Sequence, residues 1–282
     1  MRIQVIDNVV GDMLTTLSSA IGDTQDVRIA VAFISRAGLA MIDSALKLAL
    51  DRGATVEFLV GLDMRSTDPQ ALETLYSVCS NHPTAAMYCY ASLTPAGIYH
   101  PKLYLFKVDQ DATCIIGSSN LTEGGLKKNV EVNAIIEGTT SDEAISDAYN
   151  TYNRLKFHPK RVVPDEEFLN LYRQLCQTEA SLQARASSDA NMRGLVKAFN
   201  QKTQSMRRPA ASERDLLGWL ELVYRNLPAG DFTNEQVYGF EEAFQRHYPD
   251  NLNIRAKVRQ QLQVLRDMGM IEHMGTGRWR KI

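Results

Sequence analysis

Along the first half of the chain, hydrophobic positions alternate between two periods. Val27 to Phe33 is a β-rich run, and Arg36 to Asp51 then places Leu39, Ile42, Leu46 and Leu50 at helical spacing, predicting a strand followed by an amphipathic helix. Gly53 stops that helix, and Ala54 to Gly61, with Val56, Phe58, Leu59 and Val60, predicts a buried strand. Pro69 to Cys79 reads as a second helix and Ala85 to Tyr90 as the next strand. Strand, helix, strand, helix, strand implies right-handed crossovers with helices packed on a sheet, and ligands at the strand ends.

Beyond this the pattern turns to short strands. Lys102 to Val108 and Ala112 to Gly117 are neighbours joined by the turn Asp109-Gln-Asp111, and Asn129 to Glu137 is a third strand. Ser141 to Leu155, with Ser-Asp-Glu-Ala as its cap, and Phe168 to Arg185 read as helices. Residues 186–210, rich in Ser, Ala, Gln and Asn with Arg193, Lys197, Lys202, Arg207 and Arg208, read as a linker. The remainder has the order of a winged helix. Ser212 to Arg225 is a first helix, Thr233 caps a second running to about Arg246, and Asn253 caps a third, Ile254 to Met268; a two-stranded hairpin follows around Gly275-Thr-Gly277. The expected organisation is a mixed α/β domain over residues 1–185, the linker, and a small winged-helix domain over 211–282.

Composition adds limits. The 282 residues are 44% hydrophobic, no run approaches membrane-spanning length, and the first residues lack a signal-peptide pattern, so a cytoplasmic protein with no membrane partner is expected. Cys79, Cys89, Cys114 and Cys176 lack metal-ligand spacing and read as buried free thiols. The net charge of -2 does not itself argue for nucleic acid. The distribution does more: from Ser205 onward there are 12 Lys and Arg against 10 Asp and Glu, compared with 19 against 23 upstream.

The candidate chemistry lies in Tyr99-His100-Pro101-Lys102, Gly117-Ser118-Ser119-Asn120-Leu121-Thr122 and Asn129-Val130-Glu131. His100 and Lys102 are two apart, so a strand projects both to one face. An imidazole serves as nucleophile or acid/base near neutral pH, Lys102 and the donors of a Gly-led turn at Ser118 and Asn120 hold phosphoryl oxygens, and Glu131 is expected to orient the imidazole. Such a set attacks a phosphodiester with no metal and no cofactor.

These three elements resemble the phospholipase D superfamily, known for its HxK motif, and most of all its NgoFVII-type restriction endonuclease branch; the resemblance runs from about Arg28 to Glu137. It implies a phospholipase D-like mixed sheet flanked by helices. The wider superfamily places an Asp five residues after the Lys, where this chain has Lys107, a departure shared by the restriction branch. The resemblance implies two HxK motifs per site, one His forming a phosphohistidine while the other protonates the leaving oxygen. A second His158-Pro159-Lys160 is followed by no Gly-Ser-x-Asn turn and reads as a loop coincidence. The missing half is then expected from a second subunit, in a homodimer with one shared active site.

In the last segment, Phe232-Thr-Asn-Glu-Gln-Val-Tyr238, His247-Tyr-Pro-Asp-Asn251 and Lys257 to Gly269 resemble the C-terminal winged helix of Dam-replacing restriction enzymes. That likeness implies double-stranded DNA as partner, with Arg255, Lys257, Arg259, Gln260, Gln261, Arg278, Arg280 and Lys281 as candidate contacts. Together the two resemblances point to a type II-like restriction endonuclease. Three alternatives stand beside it: a nuclease subunit of a larger defence complex with a helicase or ATPase, a catalytically silent DNA-binding protein, and a lipid phosphodiesterase.

Overall fold

A computed structural model describes residues 1–9, 11–63, 66–91, 98–187, 194, 197–198, 200–201, 211–213, 216, 218–249 and 251–282. The chain divides into two compact units, Met1–Asp189 and Ala190–Ile282. Most of the expected linker, including Arg193, Lys202, Arg207 and Arg208, lies outside the described residues.

The first unit is built on eight strands: β1 (Arg2–Asp7), β2 (Asp26–Val31), β3 (Thr55–Gly61), β4 (Ala85–Tyr90), β5 (Lys102–Val108), β6 (Asp111–Gly117), β7 (Val132–Thr139) and β8 (Arg161–Val162). They form one sheet in the order β1-β7-β6-β5-β2-β3-β4-β8. β2, β3 and β4 are parallel, as expected for strands joined by helical crossovers, and the other pairings are antiparallel.

Alternation along the strands sorts the core into two layers. Val27, Ile29, Val31, Phe58, Tyr104, Ile115 and Ile135 meet α1 (Met13–Gly22), α2 (Arg36–Asp51) and α3 (Pro69–Asn81), joined by Leu169 and Tyr172 of α5 (Glu166–Ser187). Ala30, Leu59, Leu103, Leu105 and Cys114 face the other way, onto Ile145, Ala148 and Tyr152 of α4 (Glu143–Lys156). The helix starts are chemically fixed: Ser35 Oγ accepts from Gly38 N (3.0 Å), and the Asp68 carboxylate accepts from Gln70 N (2.9 Å) ahead of Pro69.

Several elements differ from expectation. β1 and α1 fall outside the elements expected from the sequence. The third strand of the triplet begins at Val132, so Asn129 and Glu131 precede it, and a π-helical turn spans Gly124–Lys128. Asp142 rather than Ser141 occupies the cap of α4, and its carboxylate accepts from Thr139 N (2.8 Å) instead of capping the helix. Cys89 and Cys114 are buried strand residues whose thiols burial pushes up to about 12, whereas Cys79 and Cys176 are only partly buried.

In the second unit, α6 (Gly218–Arg225), α7 (Asn234–Tyr238), α8 (Glu241–His247) and α9 (Ile254–Asp267) pack with β9 (Asp231–Thr233), β10 (Ile271–Gly275) and β11 (Arg278–Lys281). The expected second helix is two helices, with Gly239 capping α7 and Phe240 opening α8. Thr233 does cap α7, in a reciprocal box with Gln236. Asn253 stands at the cap of α9 without a side-chain hydrogen bond to it. The hairpin gains β9 as a third strand, in the order β10-β11-β9.

Gly117 closes β6 opposite Asn133, where a Cβ would lie 2.3 Å from Val132 O and 2.4 Å from Asn133 Oδ1. Gly117→Ala is therefore expected to lower stability by about 1–3 kcal/mol, read as a lower urea midpoint with unchanged slope. An unchanged midpoint would contradict this close approach.

Candidate active site

The antiparallel order places the start of β5, the end of β6 and the start of β7 at one edge of the sheet, beside the end of β2, which pairs Val31 with Lys102. The five expected residues gather there. Lys102 is buried at 7% exposure, and its Nζ lies 2.6 Å from Nδ1 and 3.0 Å from Nε2 of His100, and 3.2 Å from the His100 carbonyl oxygen. His100 remains exposed, with Phe33 edge-on at 5.5 Å. Loss of hydration at the sheet edge, then the neighbouring ammonium, lower the His100 pKa below its ordinary 6.5. Burial lowers that of Lys102, while the Glu131 carboxylate works in the opposite direction.

Glu131 does not orient the imidazole as expected. Its carboxylate accepts from the Ser118 hydroxyl and from Asn129 Nδ2 (3.2 Å), and Ser118 Oγ also accepts from Val132 N (3.0 Å). The cause is register: β6 and β7 bring Ser118 alongside Glu131, while its influence on Lys102 is electrostatic. Asn120 acts at one remove, its Oδ1 accepting from Phe33 N (3.2 Å), the residue whose ring meets His100.

The Gly-led turn is also more committed than expected. Ser118 N donates to Val132 O (3.1 Å) and Ser119 N to Asn133 Oδ1 (3.2 Å), so neither N–H is offered to an anion. Donors left for a phosphoryl group are the Lys102 ammonium and the Asn120 amide, because the Ser118 hydroxyl gives its one proton to Glu131.

Residues the motif reading passed over support this edge. Asn133 and Ser119 are buried and bound to each other, Asn133 Nδ2 donating to Ser119 Oγ (2.8 Å), and the buried Tyr104 hydroxyl donates to Ser119 O (2.8 Å). Asp63, buried just past β3, accepts from Tyr99 N (2.5 Å) and so anchors the segment that leads into His100. Asn133 shares a side with Glu131 in the sequence pattern; nothing in the sequence singles out Asp63. Among the described residues no group of three or more His, Cys, Asp or Glu could hold a metal ion, and no helix is long and apolar enough to cross a membrane.

In the second unit the candidate contacts separate. Ile254, Val258, Gln261, Leu262 and Leu265 form the inward stripe of α9, so Gln261, at 8% exposure, is a core residue and is withdrawn as a base contact. Arg255 pairs with Glu241 (2.8 Å) and lies over Tyr238, whose hydroxyl accepts from Arg259 (3.1 Å). Arg280 pairs with Asp231 (2.6 Å), and Lys281 donates to Tyr224 O (3.1 Å). Lys257 and Gln260 are half-buried and Arg278 is exposed.

Comparison with known proteins places both units. The family described as cardiolipin synthase, PLD-like domain, matches residues 13–156, and the Dam-replacing HTH domain family matches residues 215–281. Among solved structures, NucT from Helicobacter pylori is similar at 19% identity over 55% of this chain and 94% of its own, with a TM-score of 0.41. The phospholipase D family member Nuc from Salmonella typhimurium is similar at 21% identity over 55% and 91%, with a TM-score of 0.42. Phosphatidylserine synthase of Haemophilus influenzae is similar at 12% identity over 64% and 46%, with a TM-score of 0.45. With its PLD-like match extending over half its length, the chain belongs to the PLD-like family and carries a Dam-replacing HTH domain at its C-terminal end.

Proposed function

We propose that the protein is a sequence-specific DNA endonuclease of the type II restriction kind, which hydrolyses phosphodiesters through a phosphohistidine at a site shared by two subunits, without a metal. The observation that carries this reading is the Lys102 ammonium against the His100 imidazole at an exposed sheet edge. That contact favours the neutral ring, whose one unprotonated nitrogen attacks phosphorus as the flexible Lys102 side chain turns its ammonium from the ring to the phosphoryl oxygens. The P–N bond forms as the P–O bond to the leaving oxygen breaks. That oxygen takes its proton from His100 of the second copy, which then draws a proton from the water that resolves the intermediate. Lys102 faces the charge that develops on the phosphoryl oxygens, and the Ser118 hydroxyl joins it as a donor once its proton turns from Glu131 to the substrate.

A dimer is supported by the surface beside this edge. Register places Val5, Ala134 and Ile116 side by side on β1, β7 and β6, with Ile3 and Val132 on the same face. Ile3 is 59%, Val5 69%, Ile116 44% and Val132 54% exposed, an apolar patch next to Ser118 and Glu131 that a second copy would cover. The winged-helix unit would bring double-stranded DNA, with Arg278, Lys257, Gln260, Arg255, Arg259, Arg280 and Lys281 as contacts, several after release from their present partners. A cytoplasmic setting suits this activity.

His100→Ala is expected to abolish plasmid cleavage in chelator while folding and DNA binding persist; undiminished turnover would refute the assignment. With two imidazoles in opposite protonation states, kcat/KM should be bell-shaped. Because the His100 pKa is lowered, the neutral form persists to lower pH and the protonated form is exhausted sooner as pH rises. The maximum is therefore expected on the acid side of 6.5, and a maximum well above it would contradict the pairing. Arg278→Ala should weaken DNA binding by about fivefold or more, whereas Gln261→Ala, measured on folded protein by fluorescence anisotropy, should leave affinity within about twofold.

A further inference from the structure

The second His-Pro-Lys sequence, His158-Pro159-Lys160, lies at the same sheet edge as the first. β8 begins where Arg161 pairs with Tyr90 at the end of β4, and Ala91 N donates to Lys160 O (3.0 Å). From this point three rings are in contact. The His158 and Tyr90 centroids are 5.1 Å apart at 40°, and Tyr90 stacks on Tyr99 at 4.6 Å and 23°. Tyr99 is the residue before His100 and is 4% exposed.

β3 blocks Tyr99 on another side. A Cβ at Gly61 would lie 2.8 Å from Tyr99 Cδ1 and 2.7 Å from Ala32 O, so the tyrosine ring occupies space that only glycine leaves open. Its backbone N–H is fixed by the buried Asp63 carboxylate. Tyr99 thus has little freedom so long as Tyr90 stays in place, and His158 packs against Tyr90.

His158 itself is unsuited to attack. Its Nδ1 accepts from Lys160 N (3.1 Å), so the neutral ring carries its proton on Nε2 and neither nitrogen has a free lone pair. The lookalike motif therefore keeps its imidazole as a packing ring with a fixed orientation.

We infer that His158 is a positioning residue, the outer end of a His158–Tyr90–Tyr99 ring stack that aims His100 at its substrate phosphorus. This rests on the reading of His100 as the nucleophile, but its geometric half can be measured without any substrate. A misplacement of about 1 Å at a reacting group costs on the order of 100-fold in rate, which sets the scale of the expected effect.

The test compares His158→Ala, His158→Phe and Tyr90→Leu by plasmid cleavage in chelator, by NMR titration of the His100 ring in DNA-free protein, and by thermal melting to confirm folding. His158→Ala and Tyr90→Leu are expected to lower kcat by about 10- to 100-fold with KM little changed, and to move the His100 titration midpoint. His158→Phe, which keeps the ring and loses the imidazole, should retain wild-type behaviour in both readouts. If Phe is as damaging as Ala, the imidazole itself is needed and the inference is overturned. An unmoved His100 titration in folded His158→Ala would overturn it equally. Should the wild-type protein cleave nothing, the functional reading fails, while the titration still decides whether the stack positions His100.

Discussion

A lysine ammonium held against a histidine ring at the edge of a sheet is the constraint on which the rest of the site depends. Lys102 is buried, so its charge needs compensation from nearby groups, and it finds the His100 carbonyl and the field of Glu131. Loss of hydration and then the same charge lower the pKa of His100. On the proposed reading, a buried lysine beside an exposed imidazole is a local arrangement suited to making a nucleophile.

Sheet topology makes the arrangement possible. The starts of β5 and β7 and the end of β6 meet because these strands are antiparallel, and β2 adds Phe33 from a parallel crossover. Ser119, Asn133 and Tyr104 close the space beneath with hydrogen bonds satisfied inside the protein. Gly117 and Gly125 permit the approach: a Cβ at Gly125 would lie 2.3 Å from Asn120 O, so the turn bearing Ser118 and Asn120 folds tightly only around glycine.

Much of this is legible in the sequence itself. The period-two placement of His100 and Lys102, the alternating strands and helices up to Tyr90, and the apolar stripe of α9 all follow from local spacing. What is not legible depends on register. Glu131 binds Ser118 rather than His100 because of how β6 pairs with β7, and Asp63 enters only because β3 ends beside Tyr99. β1 is an edge strand with an exposed surface, so its alternation carries little burial signal, whereas Met13, Leu17 and Ile21 of α1 do carry a helical stripe. Gln261 follows Ile254 and Val258 on the inward face of α9, and there its position outweighs its polar type.

Chemically, the central claim is that one of two identical imidazoles becomes bonded to phosphorus. Acid-sparing denaturation of a cleavage reaction run in chelator, followed by peptide mapping, reads this directly. The account predicts a DNA phosphate attached to the peptide bearing His100, at one adduct per pair of chains. Cleavage that proceeds with no adduct, or with the adduct on another residue, would contradict it.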